Sequence, residues 1–138
     1  QPWENLDETT RTLMGTGIYE CHANITEADL KDGNSWTIDL GDVRESARVY
    51  VNDSLGGCAW AVPYRLDFSG FLHKGDNIIR IEVTNLPANR ISQIDREGVQ
   101  WRKFEEINIV DLHYKRTTYE GWAPVPSGLN SAIKLLKR

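Results

Sequence analysis

The fold of this chain is decided by residues 35–85, which read SWTIDLGDVRESARVYVNDSLGGCAWAVPYRLDFSGFLHKGDNIIRIEVTN. Apolar and polar residues alternate in four runs, which is the pattern of strands that bury one face and expose the other. Turn-forming residues separate these runs, at 52–57 and 74–77. The stretch therefore predicts two packed antiparallel sheets. The alternating positions are Trp36, Ile38 and Leu40; Ala47, Val49 and Val51; Tyr64, Leu66 and Phe68; Ile79, Ile81 and Val83.

From this alternation we expect an all-β chain, a jelly-roll-like β-sandwich of about eight antiparallel strands with little helix. Residues 1–14 are expected to form an N-terminal arm and residues 15–138 a single sandwich domain with an irregular insertion near 86–105. The expected core includes Trp36, Val49, Val51, Leu66, Phe68, Ile79 and Ile81, and packing is also the default expectation for Trp60 and Tyr64.

Outside the central stretch the pattern is less regular. Thr26 is expected to cap a helical turn after the first strand. The insertion is charged and lacks a clean period, so we expect a loop with short helical turns, a place where function is often found. Residues 106–114 and 132–136 alternate again, and each predicts a further strand.

Composition narrows the functional classes. The 138 residues are 40% hydrophobic, which suits one domain with a proper core. The formal charge of −4 is spread over both signs, so neither nucleic acid nor a membrane surface is an expected partner. The first residues lack the regions of a signal peptide. From the start at Gln1 rather than Met we expect a mature or trimmed chain.

The thiols and imidazoles suggest no metal or redox site. Cys21 and Cys58 allow one pairing, and two free thiols are favoured over a disulfide because two cysteines are too few for a disulfide scaffold. The three histidines lie far apart in the sequence and have no metal-ligand spacing with a cysteine. A zinc site is therefore not expected.

Three short patterns occur in a fixed order: Val-Xaa-Val-Asn at 49–52, Tyr-Xaa-Xaa-Asp at 64–67 and Leu-Xaa-Xaa-Gly-Xaa-Asn at 72–77. In this order they resemble the sugar-binding β-sandwich of glycoside hydrolase family 2 and related galactose-binding-like jelly rolls. The resemblance extends over residues 15–136 and implies the same sandwich fold.

Two later segments resemble the C-terminal domain of large bacterial alpha-L-rhamnosidase-type enzymes. They are Thr-Asn-Xaa-Xaa-Xaa-Asn-Arg at 84–90 and Ser-Gly-Leu at 127–129. The chain departs from that pattern at Ser131 and Ala132, where those enzymes have Gly-Pro. The resemblance implies an accessory domain of a bacterial, extracytoplasmic polysaccharide-degrading enzyme, directed at pectin or rhamnose, with the catalytic domain of the parent enzyme as its partner.

The residues themselves do not indicate a self-sufficient active site. Motifs for an activated serine or cysteine and for a phosphate-binding loop are absent from the sequence. The carboxylate neighbours are those expected among 20 acidic residues, and glycoside hydrolysis needs two held about 5 to 10 Å apart across a sugar. The neighbours are Asp39 with Asp42, Asp95 with Glu97, and Glu105 with Glu106.

Carbohydrate is the expected ligand, because sugars stack their C–H faces on aromatic rings and pair their hydroxyls with planar polar groups. Both kinds of side chain cluster late in the chain. The alternatives are packing for the rings, an internal salt bridge for the arginine at 90, and a module that docks a catalytic domain without binding sugar. No cofactor is expected, although the resemblance allows a structural calcium ion. The candidate carbohydrate-binding residues are Asn89, Arg90, Asp95, Arg96, Trp101 and Trp122.

Overall fold

The structure is a computed structural model that describes residues 1–31, 34–103 and 111–138. Within these residues it contains nine strands, two α-helices and two short 3₁₀ helices, Trp3–Asn5 and Glu27–Leu30. The α-helices are α1 (Glu8–Arg11) and α2 (Ala88–Arg96). The strands are β1 (Thr16–Ile25), β2 (Trp36–Asp39), β3 (Val43–Arg44), β4 (Ser46–Val51), β5 (Ser54–Ala59), β6 (Arg65–Asp67), β7 (Gly75–Thr84), β8 (Gly128–Leu129) and β9 (Lys134–Lys137).

The strands form antiparallel sheets, so the prediction of an all-β sandwich is confirmed. The larger sheet has four strands in the order β1-β7-β4-β5. A three-stranded sheet has the order β6-β2-β9, and β3 pairs with β8 in a short ladder. The expected count of about eight strands compares with nine in the described residues, of which β3 and β8 have two residues each.

The core lies between the sheets and consists of the alternating residues. Phe68 and Ile81 have 0% exposure, and Trp36 has 8%. Leu66 packs against this core but is only partly buried, because its strand of three residues lies at the edge of the smaller sheet. The other expected core residues are fully or almost fully buried: Val49, Val51 and Ile79.

The first 14 residues contain two short helices and contribute one side chain to the core. Trp3 is 5% exposed and belongs to the core, and its indole N–H donates to the Tyr19 hydroxyl at 2.6 Å. Its backbone N–H donates to the Ser127 carbonyl at 3.1 Å. A Cβ on Gly17 or Gly128 would overlap the Trp3 indole, so these two glycines provide the space that the ring occupies.

Trp60 does not follow the packing expectation. It lies after β5, and 77% of its surface is exposed, whereas Tyr64 is buried and its hydroxyl donates to the Glu45 carbonyl at 3.2 Å. An aromatic residue at the end of a strand is buried only where another element packs over it, and the sequence around Trp60 does not show whether one does.

The connecting segments differ from expectation in part. Thr26 does begin a 3₁₀ turn, in a reciprocal cap with Asp29. The insertion contains the nine-residue helix α2 rather than short turns alone. Residues 104–110 lie outside the described residues, and residues 111–114 are not a strand, so the prediction for 106–114 is wrong at its C-terminal end. The last strand begins at Lys134, two residues later than predicted.

Cys21 and Cys58 are both free thiols, as the sequence favours. They lie on β1 and β5, at opposite edges of the larger sheet. Burial raises the pKa of the Cys21 thiol, which fits its role as a small apolar group beside the core. In the described part of the chain, no three His, Cys, Asp or Glu side chains come together to hold a metal ion. Nor does that part contain a helix with the length and apolarity to cross a bilayer.

Candidate functional site

Helix α2 and the residues on either side of it border an apolar groove of about 290 Å³. Leu86 and Trp122 are each about half exposed at its rim, with 50% and 51% of their surface accessible. We call this feature the aromatic groove. It is lined by Leu86, Pro87, Ala88, Ile91, Trp101, Tyr119 and Trp122.

Helix α2 supplies one wall of the groove. It begins directly after Pro87, whose fixed φ suits the start of a helix. Ala88 and Ile91 are three residues apart and therefore share a face, which they present to the groove. The buried residues of the helix, Asn89 and Ser92, also lie three apart and point elsewhere. One helix thus packs on the domain and lines the groove with different faces.

Three aromatic rings form the other wall. The Tyr119 ring lies 6.3 Å from Trp101 and 4.7 Å from Trp122, measured between ring centroids. The Arg102 guanidinium lies 5.0 Å from the centroid of Trp101 and 5.2 Å from that of Tyr119. Arg102 also donates to the Thr117 carbonyl at 2.6 Å. The arginine therefore already occupies a stacking position over two of the three rings.

Asp95 holds two of the rings in place. Its carboxylate accepts a hydrogen bond from the Trp101 indole N–H and another, at 2.8 Å, from the backbone N–H of Tyr119. These bonds, the one from Trp101 first, hold the pKa of Asp95 below its usual value. The carboxylate thus has a structural role, since it links the C-terminal end of α2 to the irregular segment of residues 117–127.

Arg96 and Asn89 form hydrogen bonds with the backbone of the rest of that segment. Arg96 donates to the carbonyls of Glu120 at 2.9 Å and Trp122 at 3.0 Å. Asn89 is 6% exposed and pairs with both backbone groups of Val125, donating at 2.8 Å and accepting at 2.7 Å. Residues 117–127 contain no helix or strand, so these side chains supply much of their hydrogen bonding.

The structure therefore places the six candidate residues in three different settings. Trp101 and Trp122 line the aromatic groove, and Trp122 is open to solvent. The polar atoms of Asn89, Asp95 and Arg96 are used inside the domain. Arg90 is exposed and makes no salt bridge within residues 1–31, 34–103 and 111–138.

Five groove residues were not among the candidates: Leu86, Pro87, Ala88, Ile91 and Tyr119. The three-residue spacing of Ala88 and Ile91 would indicate a shared face if the segment were assigned to a helix. Nothing in the sequence brings Tyr119 to that face, because Asp95 contacts it across 24 residues.

The acidic neighbours have structural partners. Asp39 accepts from the Gly41 backbone N–H at 2.9 Å and from Arg65 at 2.8 Å, which together hold its pKa below the usual value. Asp42 forms a two-pronged ion pair with Arg44 at 2.7 and 3.1 Å. Glu105 and Glu106 lie outside the described residues. Asp39 and Asp42 are thus each paired with an arginine of the same domain.

The comparisons with known proteins agree with this fold. No family model matches the sequence. The chain is 28% identical over 130 residues to a protein of Formosa agariphila named "Putative beta-glucuronidase", covering 87% of this chain and 11% of that protein. It superposes on a rhamnosidase from Novosphingobium sp. PP1Y with a TM-score of 0.77 and 29% identity, covering 100% of this chain and 12% of the rhamnosidase.

A beta-glucuronidase from Bifidobacterium dentium, solved with coumarin-3-O-glucuronide, shares the fold alone. Its TM-score is 0.53 at 21% identity, and the match covers 60% of this chain and 13% of that enzyme. A glycosyl hydrolase family 2 member from Bacteroides cellulosilyticus also shares the fold alone, with a TM-score of 0.51 at 24% identity over 62% of this chain and 13% of that enzyme. The expected similarity to glycoside hydrolases is confirmed by the rhamnosidase and by the Formosa agariphila protein. The chain is similar to a β-sandwich region of these proteins and spans 11% of the length of the Formosa agariphila protein, 12% of the rhamnosidase and 13% of the Bifidobacterium dentium enzyme.

Proposed function

We propose that this chain is a non-catalytic accessory domain of a larger glycoside hydrolase, and that its aromatic groove packs against another part of that enzyme. The proposal is supported chiefly by the match of the whole chain, at a TM-score of 0.77, to 12% of a rhamnosidase. The resemblance to galactose-binding-like domains at the C-terminus of rhamnosidase-type enzymes belongs to the same proposal, as does an extracytoplasmic location.

The chemistry of the groove favours protein over sugar as its occupant. The polar atoms of Asn89, Asp95 and Arg96 form hydrogen bonds with residues 117–127, and the groove lining is apolar. A sugar in this groove would leave hydroxyls unpaired, at a cost of about 1–3 kcal/mol for each buried group. An apolar protein surface has no such cost, and exposed apolar patches commonly mark interaction sites.

Carbohydrate binding at the same groove is the second candidate, favoured by the exposed ring of Trp122 beside Tyr119. The volume of about 290 Å³ is near the lower end for small-ligand pockets. Sugar would stack on Trp122, with Trp101 also in the groove lining. Rhamnose- or galacturonate-containing polysaccharide is the expected source. Because one or two stacked rings give little free energy, the dissociation constant would be on the order of 0.1 to 1 mM.

Hydroxyl-radical footprinting tests the docking role. Trp122 should oxidise readily in the isolated chain, where Trp60, 77% exposed, calibrates the rate of an accessible indole. In the full-length enzyme, oxidation of Trp122 should fall severalfold. Equal oxidation of Trp122 in the two samples would overturn the docking role and leave the accessory-domain assignment intact.

A titration with rhamnose- and galacturonate-containing oligosaccharides tests the second candidate. If the groove docks protein, no saturable binding that depends on Trp122 should be seen at millimolar ligand. Binding that is lost in Trp122→Ala and kept in Trp60→Ala would instead assign the groove to sugar. Turnover of an aryl rhamnoside or glucuronide by the 138-residue chain alone would overturn its non-catalytic assignment.

A further inference from the structure

The outward face of the larger sheet carries a polar depression of about 340 Å³. It is separate from the aromatic groove, because it lies on β1, β4, β5 and β7 rather than on α2 and residues 117–127. We call it the sheet pocket. Its lining residues are Thr16, Ser46, Arg48, Cys58, Glu82 and Thr84.

The strand register assembles this pocket from two rows of side chains. Glu82 on β7 lies opposite both Ile18 on β1 and Arg48 on β4, and Arg48 lies opposite Cys58 on β5. Neighbouring strands are about 4.8 Å apart, so an apolar side chain, a carboxylate and a guanidinium stand side by side. The next row contains three hydroxyls, from Thr16, Thr84 and Ser46.

Arg48 carries a charge without a partner. Its side chain is exposed and makes no hydrogen bond or ion pair in the described part of the chain. Its neighbour Glu82 lies closer to a different cation, since Arg80 Nε is 3.8 Å from Glu82 Oε1. Arg80 in turn stacks on the Tyr50 ring, 4.6 Å from its centroid. The sheet therefore presents the Arg48 guanidinium toward solvent with its donors available.

The hydroxyl row keeps hydrogen-bonding capacity. The hydroxyls of Thr16 and Thr84 are 2.7 Å apart, so one donates to the other. A hydroxyl has one donor and two acceptor lone pairs, which leaves this pair with one free donor and several free acceptors. At the other end of the Glu82 row, Ile18 is 66% exposed and offers an apolar surface.

We propose that the sheet pocket binds a carboxylated sugar, a uronate residue of a glycan. Arg48 takes the carboxylate, because a guanidinium matches it with two parallel N–H donors. Glu82 accepts from sugar hydroxyls, and Thr16 and Thr84 pair with others. The C–H face of the sugar ring lies against Ile18. The pocket is open and has no aromatic platform, so we expect a dissociation constant of about 1–10 mM.

This proposal is independent of the groove and of the docking role, and NMR can test it on the chain itself. Glucuronate and galacturonate are titrated into ¹⁵N-labelled protein, with glucose and galactose as sugars without the carboxylate and acetate as a carboxylate without the sugar. Only the uronates should give saturating shifts at the amides of Thr16, Arg48 and Thr84. Equal binding of a neutral sugar or of acetate would overturn the proposal, and so would shifts confined to the aromatic groove.

Substitutions at position 48 test whether the Arg48 guanidinium binds the carboxylate of the uronate. Arg48→Gln should raise the dissociation constant for the uronates by at least about fivefold, and Arg48→Lys should retain part of the affinity because it keeps the charge but loses the bidentate fork. Arg11→Gln removes the same charge on α1, where Arg11 lines a different depression with Asn89 and Arg96, and is the matched control. Circular dichroism checks that each variant is folded. Unchanged uronate binding by Arg48→Gln would overturn the proposal.

Discussion

Replacing Asn89 by alanine should destabilise the domain, although alanine is the better helix former. The Asn89 side chain is 6% exposed and makes two short hydrogen bonds to the backbone of Val125, across 36 residues of sequence. It also approaches the Ser127 hydroxyl at 3.4 Å. Removing the amide leaves the Val125 N–H and C=O without these partners, at the point where the irregular segment joins α2.

The magnitude follows from these bonds. Two hydrogen bonds with net values of about 0.5–1.5 kcal/mol each, plus the cost of partly buried backbone groups left unpaired, give a loss of about 2–3 kcal/mol. Alanine recovers about 0.6 kcal/mol in helix propensity. The expected net decrease in the free energy of unfolding is therefore about 2 kcal/mol.

Urea denaturation followed by tryptophan fluorescence and by circular dichroism measures this change. Arg90→Ala is the matched control, because Arg90 lies next along the same helix and is exposed without a salt bridge in the described residues; it should change stability by less than about 0.5 kcal/mol. If Asn89→Ala is no more destabilising than Arg90→Ala, the amide does not hold the segment, and Asn89 returns to being a candidate ligand.

Three further predictions rest on other parts of the fold. Phe68→Ala should cost about 3–5 kcal/mol, because the side chain is fully buried; a loss below 1 kcal/mol in chemical denaturation would place it outside the core. Gly56→Ala should also destabilise, since its Cβ would overlap the Phe68 ring, while Gly70→Ala, with open space around it, serves as control in the same thermal unfolding assay. Protonated His22 donates a hydrogen bond to the Asp76 carboxylate, and this bond and the carboxylate's charge raise the pKa of His22. The pair therefore stabilises β1 against β7 fully below about pH 6.5, as long as Asp76 is ionised, and this contribution is lost as pH rises through the raised pKa. Asp76→Asn should return the His22 pKa, followed by NMR, toward its ordinary value, and an unchanged titration would contradict the pairing.

The alternation of apolar and polar residues predicts the parts of the fold in which each strand buries one of its two faces. Val49, Ile81 and Phe68 lie in runs of alternating polarity, and a strand with that alternation has only one way to bury its apolar face. The turn at 52–57 likewise carries its own signal, because Asn52 and Asp53 adopt positive φ, which these two residue types tolerate better than most. The conformation of these strands and of this turn is determined by residues that are close together in the sequence.

The candidate site could be predicted only in part, since its polar residues have partners far away in sequence. Asn89 is bonded across 36 residues and Arg96 across 24 and 26. Their side chains are of the type that binds sugar, and only the tertiary structure shows that the domain itself uses them. The exposure of tryptophan side chains also depends on the tertiary structure. Trp3 is buried because Gly17 and Gly128 leave room for its ring, whereas Trp60 is exposed because no element among the described residues packs over it.

The sequence by itself determined the sandwich and most of its core, because alternating polarity specifies which face of a strand is buried. Tertiary structure decided which of Arg48, Arg80 and Arg96 is free. Arg48, Arg80 and Arg96 are alike in the sequence, but strand register places Arg80 against the Tyr50 ring and helix packing places Arg96 on backbone carbonyls. Only Arg48 of these three is left without a partner among the described residues, since a side chain's partners are set by the elements that fold across it.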